Sequence, residues 1–228
     1  MNSFNKSIRD CFETLEQLDF LAQAGPCNSL RASDDFKKTS LKSQNYREVY
    51  DAGVRNQDFN IMLSEHSFFQ FTLEENNDIR LAYYPNPYRF VEYIKYKRDA
   101  LSLLDDNEIT QEEYFQFLSE GDFTCDIPAI RYDYSLEQYC KDYHPAAHFH
   151  IGFYAENRWP TNRLLTPHAF LLKTLKHYYL GVWIEEAQKN GNTMDDHLDK
   201  KYRKEVFECP KLDEEAFSKE ESERFYIT

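Results

Sequence analysis

Residues 144–152 of this chain read His-Pro-Ala-Ala-His-Phe-His-Ile-Gly, and residues 130–134, upstream, read Ile-Arg-Tyr-Asp-Tyr. Polar and apolar side chains alternate in both segments. Because successive side chains of a β-strand point to opposite faces of a sheet, each segment is predicted to be a strand with one polar and one apolar face. A slip of one residue would bury the histidines where the aromatic residues belong, so the register is strongly specified.

The two strands are predicted to pair in antiparallel orientation. The residues that connect them, 135–146, are too few for a parallel crossover that contains a helix. We therefore expect one face of the pair to carry polar side chains and the other face to carry apolar ones. The polar set is Arg131, Asp133, His148 and His150. The apolar set is Ile130, Tyr132, Tyr134, Phe149, Ile151 and Phe153.

A helix that begins at Pro167 is predicted to cover the apolar face. Thr166 is suited to the N-cap and proline is favoured at the first helical position. A wide apolar face then continues to about Gly191. Such a helix would leave the polar face of the sheet to line a pocket.

The rest of the chain completes the predicted fold. Alternation and turn residues predict strands over Phe59–Leu63, Ser67–Leu73 and Ile79–Tyr84, and residues 25–45 suggest a loop with a short helical turn. Helical spacing predicts helices over residues 3–22 and 88–104 and another from Thr110. We expect an α+β fold: an antiparallel sheet of about five strands packed against helices, in a single domain over residues 1–228 with its core in 45–190.

Two segments flank this core. The amphipathic helix over residues 3–22 is expected to pack on its own domain, with binding to a partner protein as the alternative. Residues 192–228 are charged and include an acidic tail from Asp213 to Glu223. A run of this kind is expected to form a solvated helix or a loose tail.

Composition excludes several classes of function. A net charge of −13 disfavours a general binder of nucleic acid or of anionic membranes, and with only 6 glycines the chain has no glycine-rich phosphate loop. Residues 129–183 are less acidic, with six Lys or Arg against four Asp or Glu, which is compatible with a phosphate-bearing substrate. The 5 cysteines are scattered and odd in number, so we expect reduced thiols in a cytoplasmic protein. No segment predicts a membrane span or a signal peptide.

The polar face could hold a divalent metal. Histidines at positions i and i+2 of a strand point to the same side, and zinc enzymes use that arrangement with a third ligand from a neighbouring segment. His148 and His150 would be the pair, and His144 or Asp133 the third ligand. Alternatively, Asp133 would accept the second ring N–H of a histidine and orient that ring.

The same residues could act without a metal. RNA cleavage needs a base, an acid and cations on the phosphoryl oxygens, and histidine suits the first two roles because its pKa lies near neutral pH. Arg131, Arg158 and Arg163 would supply these cations. Arg158, Arg163 and Thr161 would bind the substrate, a nucleotide or a short single strand. A purely structural interpretation also stays open, in which the histidines are ordinary residues of a half-buried strand and Arg131–Asp133 is a structural ion pair.

Several sequence blocks resemble a bacterial family of unknown function, DUF2290. The resemblance covers roughly residues 45–185, and its blocks are Asn60-Ile-Met-Leu-Ser, Phe69-Gln-Phe, Tyr83-Tyr-Pro-Asn-Pro, Arg131-Tyr-Asp, His144-Pro-Ala-Ala-His-Phe-His-Ile-Gly, Arg158-Trp-Pro-Thr and Leu165-Thr-Pro-His-Ala-Phe. The Arg-Tyr-Asp…His-x-His part is also similar to small toxins of toxin–antitoxin pairs. The resemblance implies a bacterial protein from a mobile element or phage-defence locus and brings no established activity with it.

Two functional hypotheses follow. The first is a small hydrolase, a nuclease or other phosphodiesterase of a toxin or defence locus, with His148, His150, His144, Asp133 and Arg131 in its active site. The second is a non-enzymatic acidic protein that binds the product of a neighbouring gene in the same operon. Net charge and the amphipathic segments at 3–22 and 167–190 motivate this second hypothesis.

Overall fold

An antiparallel sheet in which each strand pairs with the next one along the chain forms the centre of the protein. The structure is a computed structural model and describes residues 3–88, 93–121, 128–153, 156–189 and 197–225. Within these ranges the sheet has seven strands rather than about five. They are β1 (Leu21–Ala24), β2 (Ile61–Leu63), β3 (Phe68–Leu73), β4 (Ile79–Tyr84), β5 (Ile130–Tyr134), β6 (Ala147–Ile151) and β7 (Trp159–Pro160). The two strands missing from the prediction are the short β1 and β7 at the two edges.

Nine helices accompany the sheet in the described ranges. They are α1 (Ser3–Gln17), α2 (Asp34–Lys42), α3 (Tyr46–Arg55), α4 (Tyr93–Asp105), α5 (Gln111–Gly121), α6 (Pro167–Tyr178), α7 (Leu180–Lys189), α8 (His197–Glu208) and α9 (Lys219–Phe225). Mixed helices and an antiparallel sheet in one domain confirm the predicted α+β class. None of the described helices is long and apolar enough to cross a membrane.

The predicted pairing of the two central strands is confirmed. Arg131 lies opposite His150, and Asp133 lies opposite His148, in an antiparallel register. Directly opposed residues share a face, so these four side chains lie together. On the other face Tyr132 is fully buried, and the Phe149 ring stacks on Phe170 of α6 with centroids 6.4 Å apart. Helix α6 therefore covers the apolar face as expected, and Thr166 caps it by accepting the Ala169 N–H.

Phe153 was predicted on the wrong face. The strand ends at Ile151, and Gly152 takes a φ of 98°, a conformation that side-chain-bearing residues rarely adopt. The chain therefore turns, and Phe153 packs edge-on against Tyr46 of α3, with ring centroids 5.6 Å apart. Tyr46 and Phe153 belong to a second, smaller core between α2, α3 and the sheet face that carries the polar set.

Both long helices of the prediction are shorter in the structure. Helix α1 ends at Gln17, and Leu21, which was assigned to the helix, begins β1. The helix from Pro167 stops at Tyr178 because Tyr179 adopts a non-helical φ of −127° and ψ of 46°. Its phenol contacts the hydroxyl of Tyr83 and the carboxylate of Glu65, so a tertiary contact divides one apolar segment into α6 and α7. The predicted end of the helix from Pro167, near Gly191, lies outside the described ranges, as do residues 89–92 of the helix predicted over 88–104.

The predicted loop over residues 25–45 contains a helix of more than one turn. Ser33 accepts the Phe36 N–H as the N-cap of α2, and Ser33 itself donates to Asp58. The segment looked polar because only Phe36 of α2 is buried. Four of the five cysteines lie in the described ranges and all four are free thiols.

The two flanking segments pack on the core. Helix α1 buries Phe4, Ile8 and Leu15 in the main hydrophobic core, so packing on its own domain is confirmed. The C-terminal segment is not a loose tail, because Leu198 of α8 and Phe217 are buried. Amphipathic faces that could have recruited a partner are therefore used within the chain.

Candidate functional site

Asp133 lies at the centre of a cluster of charged and polar side chains on the sheet. Its carboxylate accepts hydrogen bonds from Nε of Arg131 at 2.8 Å and from Nε of Arg80 at 3.2 Å, and it lies 3.5 Å from Nε2 of His150. Arg80 comes from β4, where it is directly opposite Asp133. Arg80 was not among the residues predicted for the site, although the alternation in Ile79–Tyr84 placed it on one face of a strand.

The two histidines of β6 turn their Nε2 atoms toward each other. His148 and His150 are 2% and 6% exposed, and their Nε2 atoms are 3.0 Å apart. Nδ1 of His148 lies 2.9 Å from the carbonyl oxygen of Pro145. Because a carbonyl oxygen only accepts hydrogen bonds, Nδ1 carries the proton and Nε2 of neutral His148 presents a lone pair to the cluster.

Asp133, His148 and His150 can contribute three ligand atoms to one metal ion. A carboxylate oxygen and one nitrogen of each ring all lie within 4.8 Å of one another. Ligand atoms about 2.0–2.1 Å from a tetrahedral zinc ion are roughly 3.3 Å apart. The observed separations of 3.0 and 3.5 Å at His150 are close to that value. The carbonyl that holds Nδ1 of His148 is the kind of partner that orients metal-binding histidines.

Burial and neighbouring charges change the acidity of these groups. Burial, followed by the nearby His150 ring, lowers the pKa of His148 from 6.5 to about 4, so this imidazole is neutral at pH 7. Burial alone would raise the pKa of Asp133. The hydrogen bond from His150 and the positive charges of Arg131 and Arg80 outweigh it and hold the pKa of Asp133 well below its usual range.

His144 stands beside the cluster but outside the group of ligands. Its ring lies edge-on to His148 with centroids 5.0 Å apart, and its backbone pairs with Cys140. Burial and then the charge of Arg158 lower the pKa of His144. Of the two candidates for a third ligand, the geometry therefore favours Asp133 over His144.

The three predicted substrate-binding residues do not come together. Arg158 is exposed near His144, and its guanidinium donates to the carbonyl oxygen of Glu156. Thr161 lines a cavity on the opposite, apolar face of the sheet. Arg163 donates to the carbonyl oxygens of Phe207 and Cys209, so it anchors the C-terminal segment. Only Arg158 lies on the side of the histidines.

Comparison with known families agrees with the sequence blocks noted above. The chain matches the family described as "Uncharacterized conserved protein (DUF2290)" over residues 23–228. The chain belongs to this family. The match begins and ends outside residues 45–185 and includes the second half of β1 and the C-terminal helices, which agrees with their packing on the core. No curated protein and no solved structure matches the chain.

A small pocket adjoins the cluster in this DUF2290 protein. Its volume is about 110 Å³, enough for a few water molecules or a small polar group. Arg131 and His150 form its polar wall, and α2 and α3 close it from above the sheet with Ser40 and Val49. Phe153, which the sequence analysis placed on the other face, also lines it. Through this pocket small molecules could reach His150, although its side chain is largely buried.

Proposed function

We propose that this DUF2290 protein is a metal-dependent hydrolase of phosphodiester bonds, of the nuclease type. Asp133, His148 and His150 would hold a divalent ion, zinc or manganese. The observation that carries the proposal is the convergence of two imidazole nitrogens and a carboxylate oxygen that also contacts Nε of two arginines. A bound ion supplies a Lewis acid and a water of lowered pKa.

The geometry favours metal binding over acid–base catalysis by the imidazoles alone. Nε2 of His148 points at His150 and not at the pocket, and His148 is almost fully buried. A histidine with a pKa of about 4 is also a weak base and carries almost no proton to donate at neutral pH. A neutral imidazole with an available lone pair is the form in which histidine binds metals.

The arginines suit a phosphate group. Arg131 and Arg80 contact Asp133 through Nε, and their terminal amino groups make no other hydrogen bond within the described residues. Guanidinium forks match pairs of phosphate oxygens, so these amino groups could bind a phosphodiester next to the metal. The net charge of −13 and the small pocket favour a nucleotide or a short single strand over a long duplex.

Metal binding provides the first test. We expect purified, chelator-treated protein to take up one zinc or manganese ion per chain in isothermal titration calorimetry and elemental analysis. His148→Ala and His150→Ala should each weaken binding by about 100-fold or more, because a three-ligand site loses a ligand. His177→Ala removes an exposed histidine from α6 and should bind metal like the wild type. A wild-type protein that takes up no ion would refute the metal site.

Hydrolysis provides the second test. The metal-loaded wild type should cleave bis-p-nitrophenyl phosphate and a short single-stranded RNA, and His150→Ala should not. Arg131→Met should raise KM more than it lowers kcat if Arg131 binds phosphate in both the ground and transition states. Metal uptake without cleavage of any phosphodiester would reject the hydrolase and leave a metal-binding protein.

A role as a toxin or in phage defence is a narrower form of this proposal. It is supported by the sequence similarity to toxins in the Arg-Tyr-Asp…His-x-His segment alone. Expression in a bacterial host should slow growth, and the His148→Ala, His150→Ala double variant should restore it while folding correctly by circular dichroism. Equal toxicity of the folded double variant would rule the role out.

A further inference from the structure

We propose that a second cavity, between the outer strands β6 and β7 and helix α6, binds a small planar aromatic molecule that carries one negative charge. The cavity has a volume of about 320 Å³, at the lower end of the range for small-molecule sites. It lies on the apolar face of the sheet, opposite the cluster around Asp133. Its lining includes Phe149, Ile151, Trp159, Phe170, Lys173 and Thr174.

The walls of this cavity are aromatic and partly open to solvent. Phe149 and Phe170 stack nearly parallel, with an interplanar angle of 14°, and form the inner wall. Trp159 and Ile151 form the rim and are 58% and 39% exposed. Large apolar side chains that surround one opening are typical of ligand sites, whereas exposed apolar residues scattered over a surface are not. Flat rings offer a planar ligand stacking contacts that an aliphatic chain cannot replace.

Lys173 is the residue that favours a negatively charged ligand in this cavity. Its ammonium nitrogen lies 5.8 Å from the centre of the Phe149 ring, and no carboxylate of the described residues forms an ion pair with it. Burial lowers the pKa of Lys173, as expected for an ammonium partly removed from water. A carboxylate or phosphate of a ligand would replace the water that this cation loses.

The neighbouring polar groups of the described residues add hydrogen-bonding atoms to the lining and no negative charge. His177 also lines the cavity, and its pKa is lowered by burial and then by the positive charges of Lys173 and Lys176. The hydroxyl of Thr174 donates to the Phe170 carbonyl, and its oxygen can still accept a hydrogen bond. Among the residues that the structure describes, no acidic one lines the cavity. An anionic aromatic molecule therefore meets complementary charge at one end and aromatic surface along its length.

The cavity is independent of the proposed metal site. Phe149 and Ile151 point to one side of β6, and His148 and His150 point to the other. The sheet separates the two sites, so a substitution in the cavity leaves the metal ligands in place. Binding to this cavity can be tested whether or not the protein proves to be a hydrolase.

Calorimetric titration with 1-naphthoate, an aromatic carboxylate, tests the proposal. The wild type should bind one molecule per chain. Naphthalene-1-methanol, a neutral molecule of the same shape, and octanoate, an aliphatic carboxylate, should each bind at least about tenfold more weakly, since each loses either the charge or the stacking. Lys173→Met should reduce the affinity for 1-naphthoate about tenfold and leave that for the neutral alcohol unchanged.

Matched variants control for general effects. Trp159→Ala should weaken 1-naphthoate binding about tenfold through lost stacking, whereas Tyr143→Ala removes another exposed aromatic residue and should have no effect. Lys204→Met removes an exposed positive charge from α8 and should bind like the wild type. Absence of saturable binding, equal affinity for the charged and neutral naphthalenes, or unchanged binding by folded Trp159→Ala and Lys173→Met would each overturn the proposal.

Discussion

Replacing Asn60 with alanine should lower the free energy of unfolding by about 4 kcal/mol, because the buried Phe71 N–H and two part-buried carbonyl groups lose their hydrogen bonds to this side chain. Asn60 is fully buried and directly precedes β2. Its amide nitrogen donates to the carbonyl oxygens of Pro26 and Asn28, at 2.7 and 3.0 Å. Its amide oxygen accepts the Phe71 N–H at 2.7 Å. One side chain thus joins the segment after β1 to strand β3.

Urea denaturation followed by circular dichroism measures this effect. Asn56→Ala is the matched control, because within the described ranges the Asn56 side chain makes one hydrogen bond, which is exposed and goes to Asp35. The control should lose no more than about 1 kcal/mol. A loss of similar size in both variants would show that water replaces the Asn60 amide and that its bonds contribute little.

Acidification from pH 7 to pH 5 should destabilise the metal-free protein by about 2 kcal/mol through His148 alone. The unfolded imidazole titrates near 6.5, and burial lowers the pKa of folded His148 to about 4. Between these values the unfolded chain binds more protons than the folded protein, so stability falls as the pH falls. This stabilisation is complete above pH 6.5 and fully lost below pH 4. The total loss is about 3 kcal/mol.

The variant His148→Gln isolates this contribution, because glutamine does not titrate. Urea denaturation in the presence of a chelator should show that the wild type loses about 2 kcal/mol more than His148→Gln between pH 7 and pH 5. Protonation of folded Asp133 does not contribute to this difference, since the pKa of its carboxylate lies well below pH 5 in the folded protein. Equal losses in the two proteins would mean that His148 is protonated in the folded state at pH 5.

Bound metal should change this pH dependence in a diagnostic way. An ion on Nε2 of His148 competes with protons, so a metal-loaded protein should resist acid further than the apo protein. The same titration with and without zinc therefore links the stability of the fold to the proposed site. If zinc leaves the wild-type curve unchanged, His148 is not a metal ligand.

The alternative of a non-enzymatic partner protein stays a prediction, and only part of its amphipathic surface remains available: Leu180 and Ile184 of α7 are exposed. Helix α1 and helix α6 bury their apolar faces against each other and the sheet. Net charge and the exposed side of α7 are therefore the features that such a partner could contact, and charge by itself does not specify a partner.

The alternation of residues 130–134 and 147–151 by itself determined the centre of the fold. Side chains two residues apart in a strand lie on the same face of the sheet. Only one register keeps Tyr132 and Phe149 in the core. The other face must therefore carry the polar set, Arg131, Asp133, His148 and His150. Such inferences depend on local periodicity, which one sequence displays in full. The same is true of the cap at Thr166 and of the helix after it.

Only the tertiary structure decided which distant residues complete each site. Arg80 reaches Asp133 from another strand, Tyr179 ends α6 because its hydroxyl contacts Tyr83, and Arg163 turns to the C-terminal segment. Thr161, one residue beyond β7, faces the aromatic cavity instead of the histidines. These outcomes depend on contacts between segments that are far apart in the chain. Local periodicity cannot encode them, because the same alternation is compatible with many partners until the sheet and its helices have packed.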